Sequence, residues 1–401
     1  MNPINLTCTK TGKPHDVIVV GGGPAGIAAA LAAKRAGKTV LLAEKGVALG
    51  GLATLGLVVL YNPPLDDNKG RKLVGGLSEE LLHCSIQYGY HTLSPKWRWP
   101  GEMGEPGNGR YQTLFSAPAF SLAALELLEK EGVEILYGAS FLSAVMDGKN
   151  CQGVLLATKA GLWFYPCKAA VDATGDGDVF ASAGAACEEN TENWLTYWAL
   201  STSLSAMKTA VEKKDVRYAI KIEGLGAKAN GENQPAGAPQ YGIRTPEEVS
   251  GFVKAGQKLA LERLKEMGKS EACFVALPSM PQYRKTRRIR GLYTIEEKDR
   301  GIRFDDSIGC TAEEWNPQCL LELPYRILVS IDCDNILAAG RLVSAKGVPM
   351  DTIRLIGISA LTGEAAGMAA AMIAENRKKA VDLDVAQLQQ AMIANRNILH
   401  F

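Results

Sequence analysis

Three glycines and one carboxylate carry the first chemistry legible in this chain. Gly21, Gly23 and Gly26 form G-x-G-x-x-G inside GGGPAG, with Pro24 and Ala25 in the turn, and Glu44 closes the next apolar run with Lys45 beside it. Glycines at this spacing give a tight turn, close approach of backbone N–H groups to a pyrophosphate, and close packing of helix on strand. A helix starting there sets its partial positive charge against the phosphates. Glu44 can accept both ribose hydroxyls of an adenosine and repels a 2′-phosphate, which argues against NADP and leaves FAD or NAD.

Those residues need a βαβ unit to position them, and the stretch Asp16 to Glu44 reads as one. Val17 to Val20 is too short for a helix and rich in β-branched residues, as a buried parallel strand is. Alanine-rich Ile27 to Ala36 continues as a helix, Gly37 ends it, and Thr39 to Ala43 forms the second strand. Beyond it, the pair Gly50-Gly51 resembles the Gly-Gly that flavoproteins of the glutathione-reductase-like class carry just past the ribose-binding residue, where backbone passes close to the ribityl and ring portions of FAD, and it moves the expectation from NAD towards FAD.

From Asn62 to Arg110 the chain is loop-like, with the aromatic residues Trp97, Trp99 and Tyr111 around several glycines and prolines. A loop of that length in a compact enzyme is usually functional, and a flap over the flavin at about 62–112 is the expectation. Leu77 to Leu82 and Pro118 to Glu131 read as helices. Val133 to Tyr137, Phe141 to Met146, Gln152 to Thr158 and Leu162 to Tyr165 read as strands of a meander, with a further strand at Ala169 to Asp172. This last strand delivers Asp172-Ala173-Thr174-Gly175-Asp176-Gly177-Asp178, small residues and carboxylates at a strand's carboxyl end, where ligands cross open α/β sheets.

Residues from about Trp194 to Ile302 change texture and suggest an insertion: a strand from Trp194 to Ser203, a loop from Gly224 to Gly242, an amphipathic helix from Pro246 to Met267 and a strand from Phe274 to Leu277. The string Gly224-Leu225-Gly226-Ala227-Lys228-Ala229 is not followed by a helix and is rejected as a second nucleotide motif. Next comes the basic run Tyr283-Arg284-Lys285-Thr286-Arg287-Arg288-Ile289-Arg290. Taken alone it reads as a solvated face, but placed after a strand of the insertion it offers Arg287, with Tyr283 as neighbour, as a fork for a substrate carboxylate or oxyanion. Arg288 should then point the opposite way. Near the end, Asn335 to Arg341 is a strand running into Gly340-Arg341, a small-residue helix opens at about Thr352, and Val385 to Leu399 forms a last amphipathic helix.

Composition sets the limits. A chain of 401 residues with 47% hydrophobic residues can build a large core or two domains. Lys plus Arg number 44 against 43 acids, so no global field favours nucleic acid or anionic membranes. The first residues lack the apolar core of a signal peptide and no run approaches bilayer-spanning length, so a cytoplasmic protein is expected. Nine scattered cysteines without a C-x-x-C argue against zinc, iron–sulfur clusters and redox disulfides, and no metal site is expected.

GGGPAG with Glu44, GGLATLG, DATGDGDV, YRKTRRIRG, ILAAGR and IRLIGISALTGEAAGMAAA agree in order with one family. The chain resembles FAD-dependent oxidoreductases with the glutathione-reductase-like FAD-binding fold, distantly related to fumarate reductase flavoprotein subunits. The resemblance implies an α/β protein with a Rossmann-type FAD-binding domain (1–190 and 325–401) containing a parallel sheet and β-meander, plus an inserted α+β substrate or cap domain (191–324). It implies that Gly21, Gly23, Gly26 and Glu44 hold the ADP half, that Gly50, Gly51 and Thr54 line the flavin, and that Thr174, Gly175 and Asp178 flank the pyrophosphate. Gly340, Arg341, Arg354 and Gly357 would close the site. No histidine or cysteine lies between Glu44 and Thr54, so non-covalent FAD is expected, with Cys187 as the open alternative for attachment.

The expected activity is hydride transfer between FAD and a small organic substrate. Two alternatives stay open: an enoate or ketone reductase fed by a separate electron donor, and a flavin electron-transfer subunit without its own substrate.

Overall fold

A computed structural model describes residues 8, 10–62, 64–97, 109–190, 193–228 and 230–401. Strand β1, His15–Val20, runs into helix α1, Pro24–Arg35, and returns as strand β2, Val40–Ala43. All three are almost wholly buried because β1 sits inside a seven-stranded sheet. Its order is Glu134–Leu136, β2, β1, Gly161–Asp172, Asn150–Thr158, Ser140–Asp147, with Ile336–Ala338 also paired to Gly161–Asp172. β1 is parallel to β2 and to Gly161–Asp172, whereas the 140–172 segment is an antiparallel meander.

The two strands expected at 162–165 and 169–172 are one continuous strand, Gly161–Asp172. Pro166 does not break it because the strand changes partners there. Residues up to Pro166 pair with Asn150–Thr158, where Pro166 faces Gly153, and residues from Cys167 pair with β1. A missing N–H is tolerated at such a seam.

One helix packs the sheet's core. Ile356–Asn376 lies against α1 so closely that a Cβ on Gly363 would stand 2.1 Å from the Ala25 carbonyl oxygen, and one on Gly367 2.2 Å from that of Ala29. This helix corrects the expectation that no segment reaches membrane-spanning length: it is 21 residues long and an 18-residue stretch of it has a mean hydropathy of 1.4, but 94% of that stretch is buried inside the protein. It also begins later than expected. A short helix, Val348–Ile353, ends first, and Arg354 and Leu355 form the break between the two.

The insertion builds a sheet of its own, Lys221–Gly226, Thr196–Ser203 and Ala272–Ala276, covered by helix Pro246–Glu266. Its small apolar clusters draw on residues between Leu195 and Tyr283, including Phe252 and Ala260. Ile289, Ile295, Ile308 and Leu321 instead belong to the main core, so the stretch before 325 is shared between the two cores. Strand Arg287–Ile289 pairs with Cys187–Glu189, and Ser307–Ala312 with Leu320–Pro324. Gly224, Leu225 and Gly226 lie on a strand, in keeping with rejecting that string as a nucleotide motif; Ala229 lies outside the described residues.

The expected flap is corrected in part. It contains helix Gly76–Ile86, and Trp97 stacks on Tyr111 with ring centroids 4.5 Å apart in the core. Trp99 and the loop 100–106 lie outside the described residues.

Candidate active site

The carboxyl ends of β1, β2 and Gly161–Asp172 open on a cavity of about 410 Å³. Helix α1 meets it with an N-terminus that has no side-chain cap and no acid in its first turn. The Ile356–Asn376 helix meets it from the other side in the same uncapped state, with Ile356 and Ser359 on the wall. Two helix termini with free N–H groups facing one space make a site for an anionic ligand. Gly21 allows the turn: its φ is +105°, and a Cβ there would lie 2.4 Å from the Ala173 carbonyl oxygen.

Glu44 is buried at the cavity's edge, and its two oxygens accept the Gly22 N–H at 2.7 Å and the Gly46 N–H at 2.6 Å. The carboxylate thus anchors the turn on either side of the site as well as facing it. Opposite, Asp172 is fully buried and accepts from Thr174 Oγ1 at 2.7 Å, from the Thr174 N–H at 3.1 Å and from the Val179 N–H at 2.9 Å. Burial still pushes its carboxyl up to about 6. Arg341 locks the same loop: Nε donates to Gly175 O at 2.7 Å, Nη1 to Tyr283 O at 3.2 Å and Nη2 to Asp176 at 2.6 Å. Burial works to raise the Asp176 carboxyl, but Arg341 and Lys45 outweigh it and hold the group below its usual range.

Of the residues singled out from sequence, Gly21, Gly23, Pro24, Ala25, Glu44, Lys45, Gly51, Thr174, Gly175, Asp178, Gly340, Arg341 and Arg354 line this cavity. Gly26, Gly50, Thr54 and Gly357 do not; they shape its walls from behind. A Cβ on Gly26 would collide with Gly21 O at 1.8 Å, and one on Gly357 would meet Leu65 at 2.6 Å. Thr54 Oγ1 donates to Leu49 O at 2.5 Å beneath the left-handed Gly50.

A second cavity of about 490 Å³ adjoins the first under the insertion. Leu52, Ala53, Arg341, Arg354 and Ile356 line both. Gln282 fastens the insertion over the junction, donating to Gly56 O at 2.5 Å while its carbonyl accepts the Trp198 N–H at 2.7 Å. Among the described flap residues only Asn62 reaches this wall, so the expected cover comes from the insertion.

Arg287 is not on either wall. Its Nη1 donates to Asp176 O at 3.0 Å and lies 3.4 Å from Asp178, and Nη2 lies 3.8 Å from Glu189 on the paired strand. It clamps the 172–178 loop from outside because pairing with Cys187–Glu189 turns its side chain to those acids. Arg288 points the other way, to Glu188, as expected. Tyr283 does reach the second cavity, but its ring stacks on Phe252 at 4.3 Å and its hydroxyl donates to Gly242 O at 3.0 Å, so it is not paired with Arg287.

Sequence reasoning missed the residues that stand where Arg287 was expected. Arg284, three residues earlier in the same run and on a bend ahead of strand Arg287–Ile289, lines the second cavity with Glu314 and Trp198. Its signal was the tyrosine beside it; Glu314 had none.

No curated protein sequence matches the chain. Among solved structures, a p-nitrophenol 4-monooxygenase from Pseudomonas putida is similar at 15% identity and a TM-score of 0.49, over 97% of this chain and 89% of that one. A geranylgeranyl bacteriochlorophyll reductase-like protein from Thermoplasma acidophilum is similar at 13% identity and a TM-score of 0.45, over 96% and 84%. A flavocytochrome c3 fumarate reductase in its open conformation is similar at 14% identity and a TM-score of 0.43, over 91% and 79%. The sequence profile of the FAD dependent oxidoreductases matches residues 16–230 and 209–392, nearly the whole chain, and the protein is therefore a member of the FAD-dependent oxidoreductase family, an enzyme with FAD as its cofactor.

Proposed function

We propose that the chain holds FAD non-covalently in the first cavity and exchanges a hydride with a small organic substrate in the second. The observation that carries this reading is the junction: one nucleotide-sized cavity and one separate, insertion-covered cavity share the wall of Leu52, Ala53, Arg341, Arg354 and Ile356. When bound, FAD supplies a two-electron carrier at its ring. The protein's own part is to hold the pyrophosphate on the α1 N-terminus and the ribose on Glu44, and to set the Ile356 helix terminus and Arg354 where negative charge develops. Leu52, Ala53 and Ile356 exclude water from the junction.

Among the described residues the first cavity has neither histidine nor cysteine on its wall, which supports non-covalent binding. Cys187 lies on the outer strand pair, its thiol pushed up to about 11 by burial, and is a poor candidate for attachment. A second cavity argues against a pure electron relay. With Gly224 to Gly226 committed to a strand, a separate molecule would serve the other half-reaction.

The test is acid precipitation of the purified protein followed by anaerobic photoreduction of intact enzyme and a substrate panel. FAD in the supernatant, and reoxidation by at least one small organic molecule faster than by oxygen, are the expected results. Flavin remaining with the precipitate, or reoxidation only by one-electron carriers, would overturn the reading.

A further inference from the structure

The arginines around the site differ in one respect. Arg341 faces Asp176 at 2.6 Å, Arg354 faces Asp351 at 3.2 Å, Arg287 faces Asp178 and Glu189, and Arg288 faces Glu188. Arg284 faces no carboxylate at ion-pair distance among the described residues. It donates only to the carbonyls of Lys228 and Ala227, both at the long distance of 3.3 Å, and it lines the second cavity. A guanidinium carries five N–H donors in a rigid fork, so most of its capacity is open to the cavity.

Arg284 is only partly exposed, and leaving a cation there is costly. Burial and then the nearby Arg354 charge push its guanidinium down to about 10, far below the usual arginine range. An arginine is seldom left so without an anion to complete it. Val58, Leu60, Trp198, Ile222 and Leu225 give the wall an apolar stretch, beside the polar Asn62, Thr196, Lys228, Asn233 and Gln282. Among the described residues Glu314 is the one carboxylic acid on that wall; Asn62 Nδ2 donates to it at 2.7 Å, and burial raises its carboxyl.

From this arrangement we infer that the second cavity binds an organic carboxylate with an apolar body, its carboxylate received by the Arg284 fork and its body lying against Trp198, Ile222 and Leu225. Arg354, at the junction of the cavities, adds a second positive charge on the same side. The inference rests on the reading of this cavity as the substrate site. It assigns Arg284 to binding and takes that role from Arg287.

The test uses the FAD-loaded protein and isothermal titration with 3-phenylpropanoate, octanoate and benzoate, each against its amide of the same shape. At least one acid should bind at least tenfold more tightly than its amide, the range set by charge-assisted hydrogen bonds. Arg284→Gln should weaken that acid at least tenfold and leave the amide within threefold, with FAD content and the visible spectrum unchanged; Arg284→Lys should recover part of the loss. Every acid binding no better than its amide overturns the inference without any variant being made, and so does Arg284→Gln leaving the acid's affinity intact. FAD content, read by acid release on the same samples, separates the two claims. Arg284-dependent acid binding to a protein that releases no FAD would support this assignment and sink the proposed function.

Discussion

Replacing Arg341 by alanine removes the cation on which the 172–178 loop depends. The Arg341 side chain is 10% exposed and that of Asp176 24%, so the pair is shielded but not sealed. Breaking a buried pair by deleting one partner costs about 3–5 kcal/mol, because the other charge stays behind, and partial exposure places this case near 3. The Gly175 and Tyr283 carbonyls lose donors as well, at about 1 kcal/mol each. Arg341→Ala should therefore destabilise the protein by about 3–5 kcal/mol at pH 7. The pH dependence follows from Asp176, whose folded carboxyl is held below 3.8 mainly by Arg341 against burial. A depressed acid contributes stability above its unfolded value, and that contribution is lost as pH falls through the folded one. Without Arg341 burial prevails, so the gap between wild type and variant should widen as pH rises from 3 towards 7. Denaturant unfolding of the two proteins at pH 3.5, 5 and 7 measures it. A gap under about 1 kcal/mol, the scale of an exposed pair, or one that does not change with pH, would refute the argument.

Glu44→Ala strips the acceptor from the Gly22 and Gly46 N–H groups and from the ribose, so FAD affinity should fall at least tenfold and the apoprotein should lose about 1–3 kcal/mol; fluorescence titration and unfolding of the apoprotein check both. Arg287→Ala should cost only about 1 kcal/mol and change substrate affinity less than threefold, in contrast to Arg284→Gln, because its own side chain lies on neither cavity wall and meets Asp178 and Glu189 at 3.4 and 3.8 Å. Glu364, buried in the Ile356–Asn376 helix with the Leu77 N–H on one oxygen, has its carboxyl raised from 4.5 to about 7 by burial. A raised acid contributes stability that is complete below 4.5 and lost as pH passes 7, so wild type should fall by about 3 kcal/mol relative to Glu364→Gln across that window. Parallel stability curves for the two would contradict the burial argument.

The nucleotide half of the site was legible because its determinants are local: strand, three glycines, helix and Glu44 follow one another in a single βαβ unit. The substrate half was not, because it is set by contacts far apart in sequence. Which arginine of the run 284–290 faces the cavity depends on the pairing of Arg287–Ile289 with Cys187–Glu189, and nothing local announces that pairing. The same holds for Glu314, placed by a hairpin of the main core and held by Asn62 from the other end of the chain. The strand Gly161–Asp172 was read as two pieces for a related reason, since its change of partners after Pro166 is set by strands distant in sequence. The aromatic cluster looked like a lid because Trp97 and Tyr111 sit among glycines, whereas their stacking and the bond from Tyr111 to Glu79 bury them in the core.

The most direct test of the account is a crystal structure of the protein with FAD bound. The adenosine ribose should rest on Glu44, the pyrophosphate at the N-terminus of Pro24–Arg35, and the flavin ring at the wall of Leu52, Ala53 and Ile356, opening towards Arg284. A flavin ring turned away from the second cavity, or FAD bound outside the cavity of Gly21 and Glu44, would contradict it.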